Sequence, residues 1–124
     1  MQEKTLYERI GGEAAVNAAV AKMYEKIMAD AFLLPFFEGV DMKKQHRSQV
    51  AFVTVAFGGP HHYSGKGLRN AHRRLVEEKG LSDTHFDAVA THLTAAMREL
   101  GVAEELINEA IGIVATTRND VLGR

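Results

Sequence analysis

The chain has 124 residues and a formal net charge of −1 at pH 7, with 15 Lys and Arg residues against 16 Asp and Glu residues. This length predicts a single domain over residues 1–124, and the near-neutral charge argues against nucleic acid or an anionic membrane as a partner. Cysteine is absent, which excludes disulfides, iron–sulfur clusters and zinc–thiolate sites. The charged N-terminus and the lack of a run of about 18 apolar residues predict a cytoplasmic protein, and we expect a monomer.

The N-terminal third of the chain predicts two helices. Thr5 precedes an acidic residue, Glu8, at the spacing of a helix cap, and this short helix should end at the Gly11-Gly12 pair. Residues 13–29 follow as an amphipathic helix. Its inward positions are Val16, Val20, Met23, Tyr24, Ile27 and Met28. Because Tyr24 lies on the buried face, its hydroxyl needs a partner, and the ordinary partner is a backbone carbonyl.

An aromatic corner, with the sequence FLLPFF, comes next. Pro35 suits the first turn of a small helix. Phe36 and Phe37 are adjacent, so both cannot face inward from the same side. Such a pair suits a corner that wraps a flat apolar object, although ordinary core packing would also explain it.

Two glutamines occupy the inward face of the next helix. Asp41 should cap this helix, which we place at residues 42–57 with Met42, Phe52, Val53, Ala56 and Phe57 inward. Extending the stripe backward in steps of three and four residues reaches Gln49 and then Gln45. An unpaired buried amide costs about 1–3 kcal/mol, so these side chains require partners. Gln45 could instead lie at an exposed helix start.

A histidine occupies an apolar position of the fourth long helix. Residues 58–67 are rich in glycine and form a loop, in which His61 and His62 are a weak zinc signal. In the helix that follows and ends at Lys79, His72 shares a face with Leu68, Leu75 and Val76. A core histidine bound to backbone carbonyls would explain this, and so would a metal ligand that points into an apolar cavity.

Two further helices complete the prediction. Ser82 should cap a helix that runs to Gly101, with Phe86, Val89, Ala90, Leu93, Met97 and Leu100 inward. His85 and His92 are expected at exposed or half-exposed positions. One last helix is predicted over residues 103–122, with Leu106, Ile107, Ala110, Ile111, Val114 and Val121 inward. No segment alternates as a strand does, so the predicted fold class is all-α.

Six short segments together resemble the group I truncated haemoglobins, the two-over-two globins. In chain order they read LYERIGG, MY, FFEGVDM, AFGGP, AH and HFD. The resemblance extends from Thr5 to Leu122 and implies a two-over-two helical sandwich that encloses haem. Gly11-Gly12, Gly58-Gly59 and Gly65 or Gly67 match the glycines that permit the shortened fold.

The resemblance also implies roles for individual residues. His72 matches the proximal histidine that binds the iron of a non-covalent haem b. Tyr24, Gln45 and Gln49 match the distal hydrogen-bonding set, and Phe37 matches the phenylalanine that wedges against the porphyrin. The remaining residues expected at the haem are Phe52 at its apolar face and Lys44, Lys66, Arg69 and Tyr63 as alternatives at the propionates.

The chain departs from parts of the family pattern. Where some members carry a distal histidine that closes the sixth iron position, this chain has Ser48, and His46 lies about 100° around the helix from Gln45. We therefore expect that His46 does not bind the iron in the resting state; whether the iron is five- or six-coordinate stays open. Thr117 stands where other members bond a haem vinyl group through histidine, so covalent attachment is not expected. Val53 stands in place of a gating phenylalanine.

Three functions are consistent with the residues. The first is reversible dioxygen binding at ferrous haem, for storage or transport, in a pocket that would also admit nitric oxide and carbon monoxide. The second is a nitric oxide dioxygenase that yields nitrate and requires a partner reductase. Both use Tyr24 and Gln49 in the same way. The third, a haem-free helical interaction module, leaves Gln49 and His72 buried without a role.

Overall fold

The computed structural model describes residues 4–58 and 65–124, and only the backbone of residues 65 and 66. Tyr63, His61 and His62 therefore lie outside the described residues, as does the side chain of Lys66. The all-α prediction is confirmed, since the described ranges contain helices and no strand. The helices are α1 (Leu6–Ile10), α2 (Gly12–Met28), a 3₁₀ helix (Leu34–Phe37), α3 (Met42–Ala56), α4 (Gly65–Lys79), α5 (Asp83–Glu99), α6 (Glu104–Ala115) and α7 (Arg118–Val121).

The predicted helix caps at Thr5 and Asp41 form. Thr5 Oγ1 accepts from the Glu8 amide at 3.2 Å, while the Glu8 carboxylate accepts from the Thr5 amide at 3.5 Å. Gly11 ends α1 with a φ of +120°, where an added Cβ would come within 3.0 Å of the Ala15 Cβ. Asp41 Oδ1 accepts from the amides of the next helix's second and third residues at 3.1 and 3.3 Å. These bonds satisfy amides that a helix start leaves unpaired.

One core joins the long helices, and α4 is attached beside it. Helix α2 packs against both α3 and α5, α5 packs against α6, and α1 bridges α2 and α6. The shared core includes Val16, Val20, Met23, Ile27, Val53, Leu93, Met97 and Ile107. Helix α4 packs chiefly against α7, through a separate cluster of Leu68, Val121 and Leu122. No helix in the described part of the chain is both long and apolar enough to cross a membrane.

The prediction of one continuous helix over residues 103–122 is wrong. The chain turns at Thr116 and Thr117, between α6 and α7. Each hydroxyl donates to the carbonyl three residues earlier, at 2.6 Å for Thr116 and 2.7 Å for Thr117. Their amides bond the same two carbonyls, which tightens the turn and interrupts the α-helical ladder. The turn redirects Val121 towards Leu68.

Two apolar positions predicted to face inward are exposed. Met28 is 41% exposed and Leu100 is 37% exposed. Met28 is the last residue of α2, and Leu100 follows the last residue of α5. The apolar stripe of each helix therefore extends one position beyond the neighbouring helices that bury the rest of it.

Replacing Asp41 by alanine should lower the free energy of unfolding by about 1 kcal/mol, because two amides at the start of α3 lose their acceptor. Urea denaturation of the purified protein measures this change. Asp41→Asn, which keeps a side-chain oxygen, should lose much less. Equal losses in the two variants would show that the negative charge of Asp41, rather than its cap, stabilises α3.

A carboxylate connects α5 to the aromatic corner. Asp30 Oδ2 lies 2.8 Å from His92 Nε2, and Asp30 Oδ1 accepts from the Phe32 amide at 2.9 Å. His92 is half-buried, as predicted for it. The hydrogen bond with His92, followed by that from the Phe32 amide, holds the pKa of the Asp30 carboxyl below its ordinary value of 3.8.

This lowered pKa predicts an acid-labile contribution to stability. A carboxyl with a depressed folded-state pKa stabilises the fold above its unfolded pKa, and the contribution disappears as the pH falls through the folded value. The stability difference between wild type and Asp30→Asn should therefore be constant near about pH 5–6 and shrink below about pH 4. Urea titrations across that range measure it. Glu25→Gln, which removes an exposed α2 carboxylate, should show no such pH-dependent difference; a matching pH trend would contradict the assignment.

Candidate functional site

A cavity of about 310 Å³ lies among α2, α3, α4, α5 and the aromatic corner. Most of its lining is apolar. The apolar lining includes Ile27, Phe36, Phe37, Phe52, Val53, Leu75, Phe86 and Leu93. The polar side chains predicted for the site, Tyr24, Gln45, Gln49 and His72, line the same cavity. Four successive long helices thus bring an apolar space and a few polar groups together, as ligand sites do.

Tyr24 and Gln45 form a hydrogen bond across α2 and α3. Tyr24 is only 8% exposed, and the Gln45 side-chain amide donates to its hydroxyl oxygen at 3.1 Å. The expectation of a backbone carbonyl as partner is therefore wrong. The difference matters chemically, because a carbonyl would take the hydroxyl proton, whereas an amide N–H leaves that proton available.

The Tyr24 hydroxyl is kept neutral by its surroundings. Burial raises its pKa above the ordinary value of 10.0, and the hydrogen bond from Gln45 opposes this shift to a smaller extent. At neutral pH the group is consequently an O–H donor. Its oxygen is occupied by Gln45, so the proton is free to meet an acceptor within the cavity.

Gln49 and Phe37 complete this side of the cavity. The Gln49 side chain is half-buried and forms no hydrogen bond with any residue that the structure describes. The Phe37 ring packs edge-on against Tyr24, with ring centroids 5.8 Å apart and an interplanar angle of 81°. This contact restricts the tyrosine ring, so its hydroxyl is held at a defined place on the cavity wall.

His72 presents one ring nitrogen to the cavity. Its Nδ1 lies 2.8 Å from the Leu68 carbonyl oxygen, so in the neutral ring Nδ1 carries the proton and donates it. Nε2 then bears the lone pair, and it has no partner in the described part of the chain. A histidine held through one nitrogen by a carbonyl is the usual arrangement of a metal-binding imidazole. The geometry thus favours a ligand role, although a core histidine also makes this bond.

The donor set fits haem. Over residues 4–58 and 65–124, no three histidine or carboxylate side chains converge where they could hold a metal ion. A porphyrin supplies four iron ligands itself and requires as little as one imidazole from the protein. The apolar lining beside His72 has the chemistry to contact a flat hydrophobic ring. Val40 is 37% exposed at this cavity, an apolar side chain that a bound macrocycle would help to cover.

His85 belongs to the site although its sequence pattern predicted only an exposed or half-exposed position. The structure confirms a half-exposed position but shows that the ring also lines the cavity. Its Nδ1 accepts from the Ser82 amide at 3.0 Å, and the ring stacks on Phe32 with centroids 4.5 Å apart. The sequence signal was the capping position three residues after Ser82. Phe86, also unassigned, could have been found from the inward stripe of α5.

Of the four residues expected at the propionates, the structure describes the side chains of two, and neither lines the cavity. Lys44 and Arg69 are exposed and do not line the cavity, and Arg69 Nη2 pairs with Asp120 Oδ1 at 3.0 Å. Arg74, which was not predicted, does line the cavity and pairs with Glu78 one turn away. The assignments of Lys44 and Arg69, with those of Lys66 and Tyr63, remain predictions.

Four positions depart from the family pattern: His46, Ser48, Val53 and Thr117. Of these, Val53 and Thr117 line the cavity and the other two do not. His46 Nε2 lies 3.4 Å from Asn17 Oδ1 and does not line the cavity, and Ser48 is exposed. Thr117 is buried at the cavity wall with its hydroxyl bound to the Val114 carbonyl. Val53 is buried and lines the cavity too.

Comparison with known proteins agrees with this architecture. The family model for bacterial-like globins matches residues 5–122. The chain is 47% identical over 122 residues to the group 1 truncated haemoglobin GlbN of Synechocystis sp.. The matched region covers 97% of this chain and 98% of that protein.

Solved structures agree at the level of the fold. The 2/2 haemoglobin from Synechococcus sp. PCC 7002, in the cyanomet state with covalently attached haem, superposes with a TM-score of 0.91 at 47% identity, covering 98% of this chain and all 100% of that one. Chlamydomonas reinhardtii THB1 superposes with a TM-score of 0.84 at 53% identity, covering 99% and 100%. The chain therefore belongs to the bacterial-like globin family and, within it, to the group 1 truncated haemoglobins with their two-over-two helical fold.

Proposed function

We propose that this globin binds dioxygen reversibly, with His72 as the iron ligand of a non-covalent haem b and Tyr24 as the main hydrogen-bond donor to the bound gas. The observation that carries the proposal is the direction of the bond between Gln45 and Tyr24, which leaves the hydroxyl proton available. When bound, haem supplies the ferrous coordination position at which dioxygen is taken up.

The chain's own groups would retain the gas selectively. Dioxygen becomes more negative when it draws electron density from a ferrous centre, so a nearby donor favours it through a charge-assisted hydrogen bond. Tyr24 supplies a neutral O–H, and Gln49 supplies an amide with no other partner among the described residues. Carbon monoxide is less polar when bound and gains less from the same donors.

Several residues support a non-covalent haem without a histidine as sixth iron ligand. Thr117 offers no nitrogen for a bond to a vinyl group, and its hydroxyl is already held by Val114. His46 lies beside Asn17 rather than at the cavity, and Ser48 has no side chain able to bind iron strongly. The distal side is thus left to Tyr24 and the two glutamines.

Nitric oxide dioxygenation is the second use of the same pocket, since the enzyme would need the same donors to hold dioxygen before nitric oxide arrives. It would also need a partner that returns the iron to the ferrous state. Repeated additions of nitric oxide to the oxygenated protein with a flavin-dependent reductase distinguish the two functions. Sustained formation of nitrate would show that the protein is a nitric oxide dioxygenase. Accumulation of ferric protein despite the reductase would favour reversible oxygen binding as the function.

Replacing His72 by alanine should abolish stable haem binding and the absorption spectrum of a five-coordinate ferrous haem. The matched control is His85→Ala, because both histidines line the cavity but His85 Nδ1 accepts from the Ser82 amide, so its Nε2 carries the ring proton and has no lone pair for iron. Titration with haemin, followed by dithionite reduction under nitrogen, measures both properties. Loss of the ferrous spectrum in His85→Ala and its retention in His72→Ala would reverse the assignment.

Replacing Tyr24 by phenylalanine should speed dioxygen release by about 10- to 100-fold, because a charge-assisted hydrogen bond worth about 1.5–3 kcal/mol is lost. Stopped-flow displacement of dioxygen by carbon monoxide measures the release rate. Tyr7→Phe, which alters a half-buried tyrosine on α1 outside the cavity, is the control. An unchanged rate in Tyr24→Phe would mean that the glutamines alone retain the gas.

A further inference from the structure

The helix that carries His72 is anchored by the residue that also orients the histidine ring. The Leu68 side chain is buried against Val121 and Leu122 at the C-terminal end of the chain. The Leu68 carbonyl accepts the hydrogen bond from His72 Nδ1 at 2.8 Å. Since α4 packs chiefly against α7, the position of that carbonyl depends on where α7 lies.

Helix α7 is in turn fixed to α5 by Arg118. Its guanidinium donates to Asp83 Oδ1 at 3.0 Å and to Asp87 Oδ1 at 2.6 Å, and it lies 4.6 Å from the centroid of the Phe86 ring. A helix of four residues has no stability of its own, so contacts with its neighbours determine its position. Phe86 also lines the cavity and packs against the Leu68 cluster.

Two more ion pairs belong to the same cluster of charges. Arg124 donates to both carboxylate oxygens of Asp83 at 2.9 Å, and Arg69 of α4 pairs with Asp120 of α7 at 3.0 Å. The first pair holds the end of the chain on α5. The second connects α4 and α7 directly, one residue after Leu68. All these groups are partly exposed, so each pair is weak alone and the effect depends on their combination.

We propose that Arg118 is a positioning residue for His72. Its ion pairs with Asp83 and Asp87 fix the position of α7, and the packing of α7 fixes the position of Leu68. The Leu68 carbonyl in turn sets the orientation of the His72 imidazole. This inference rests on the proposed function, in which His72 Nε2 binds the haem iron. It gives a role to each residue of the HFD segment. Phe86 and Asp87 contact the Arg118 guanidinium through a ring face and a carboxylate, while His85 caps the start of α5.

The test is Arg118→Met in the haem-loaded protein, since methionine keeps an apolar stem over Phe86 and removes the charge. Arg98→Met is the matched control, because Arg98 also forms a two-bond ion pair from α5, with Glu104 at 2.5 and 3.0 Å, and has no described contact with α4. Arg118→Lys restores the charge without the two-pronged geometry. Asp87→Asn removes the negative charge of one of the two acceptors and leaves the pair between Arg118 and Asp83, so it should fold even if the methionine variant does not.

Three measurements are made on each variant. Resonance Raman spectra of the ferrous protein report the iron–histidine stretching band, haem transfer to excess apomyoglobin reports haem retention, and amide hydrogen exchange reports opening of α4. Arg118→Met should shift or broaden the band, speed haem loss about three- to tenfold and increase exchange in α4. Arg118→Lys should recover part of each change, Asp87→Asn should show smaller changes, and Arg98→Met should show none.

The outcomes separate this inference from the proposed function. If wild type lacks an iron–histidine band, or if His72→Ala retains it, the iron ligand has been assigned wrongly and the proposed function fails. If the band is present in wild type, is lost in His72→Ala and is the same in Arg118→Met as in Arg98→Met, with equal haem loss, the function stands and the positioning role of Arg118 is overturned.

Discussion

The hydrogen bond from Gln45 to the Tyr24 hydroxyl joins two helices at the point where an apolar cavity opens between them. A phenol and an amide buried separately in such surroundings would each cost stability, and together they satisfy one another only in part. Within the described part of the chain, the Tyr24 proton and the Gln49 amide have no partner and are available to a ligand. This side of the pocket therefore buries polar groups while leaving some of their hydrogen-bonding capacity unused.

The side of the pocket that carries His72 is held by different interactions. His72 is oriented by a backbone carbonyl one turn earlier on its own helix, a local interaction that any helix could provide. That helix, however, is attached to the core through the last residues of the chain, beyond the turn at Thr117. The break between α6 and α7 thus contributes to the site, because a straight helix would carry Val121 away from Leu68.

Charge and apolar packing act together at this C-terminal attachment. The buried contacts of Leu68, Val121 and Leu122 supply the association, while Arg118 and its two carboxylates select one orientation among those the apolar surfaces allow. Each exposed ion pair contributes little free energy alone, so the orientation of the short helix depends on several pairs acting together. Both sides of the pocket consequently depend on pairings between residues that are far apart in sequence.

The sequence by itself determined the helices, the caps at Thr5 and Asp41, and the inward faces on which Tyr24, Gln45, Gln49 and His72 lie, because spacing and capping are local properties of the chain. It did not determine the partner of Tyr24, the contribution of His85 to the cavity, the turn at Thr116, or the exposure of Met28 and Leu100. These features depend on which helix lies opposite and where its surface ends. Only the tertiary structure decides that, since no local pattern encodes the position of a distant neighbour.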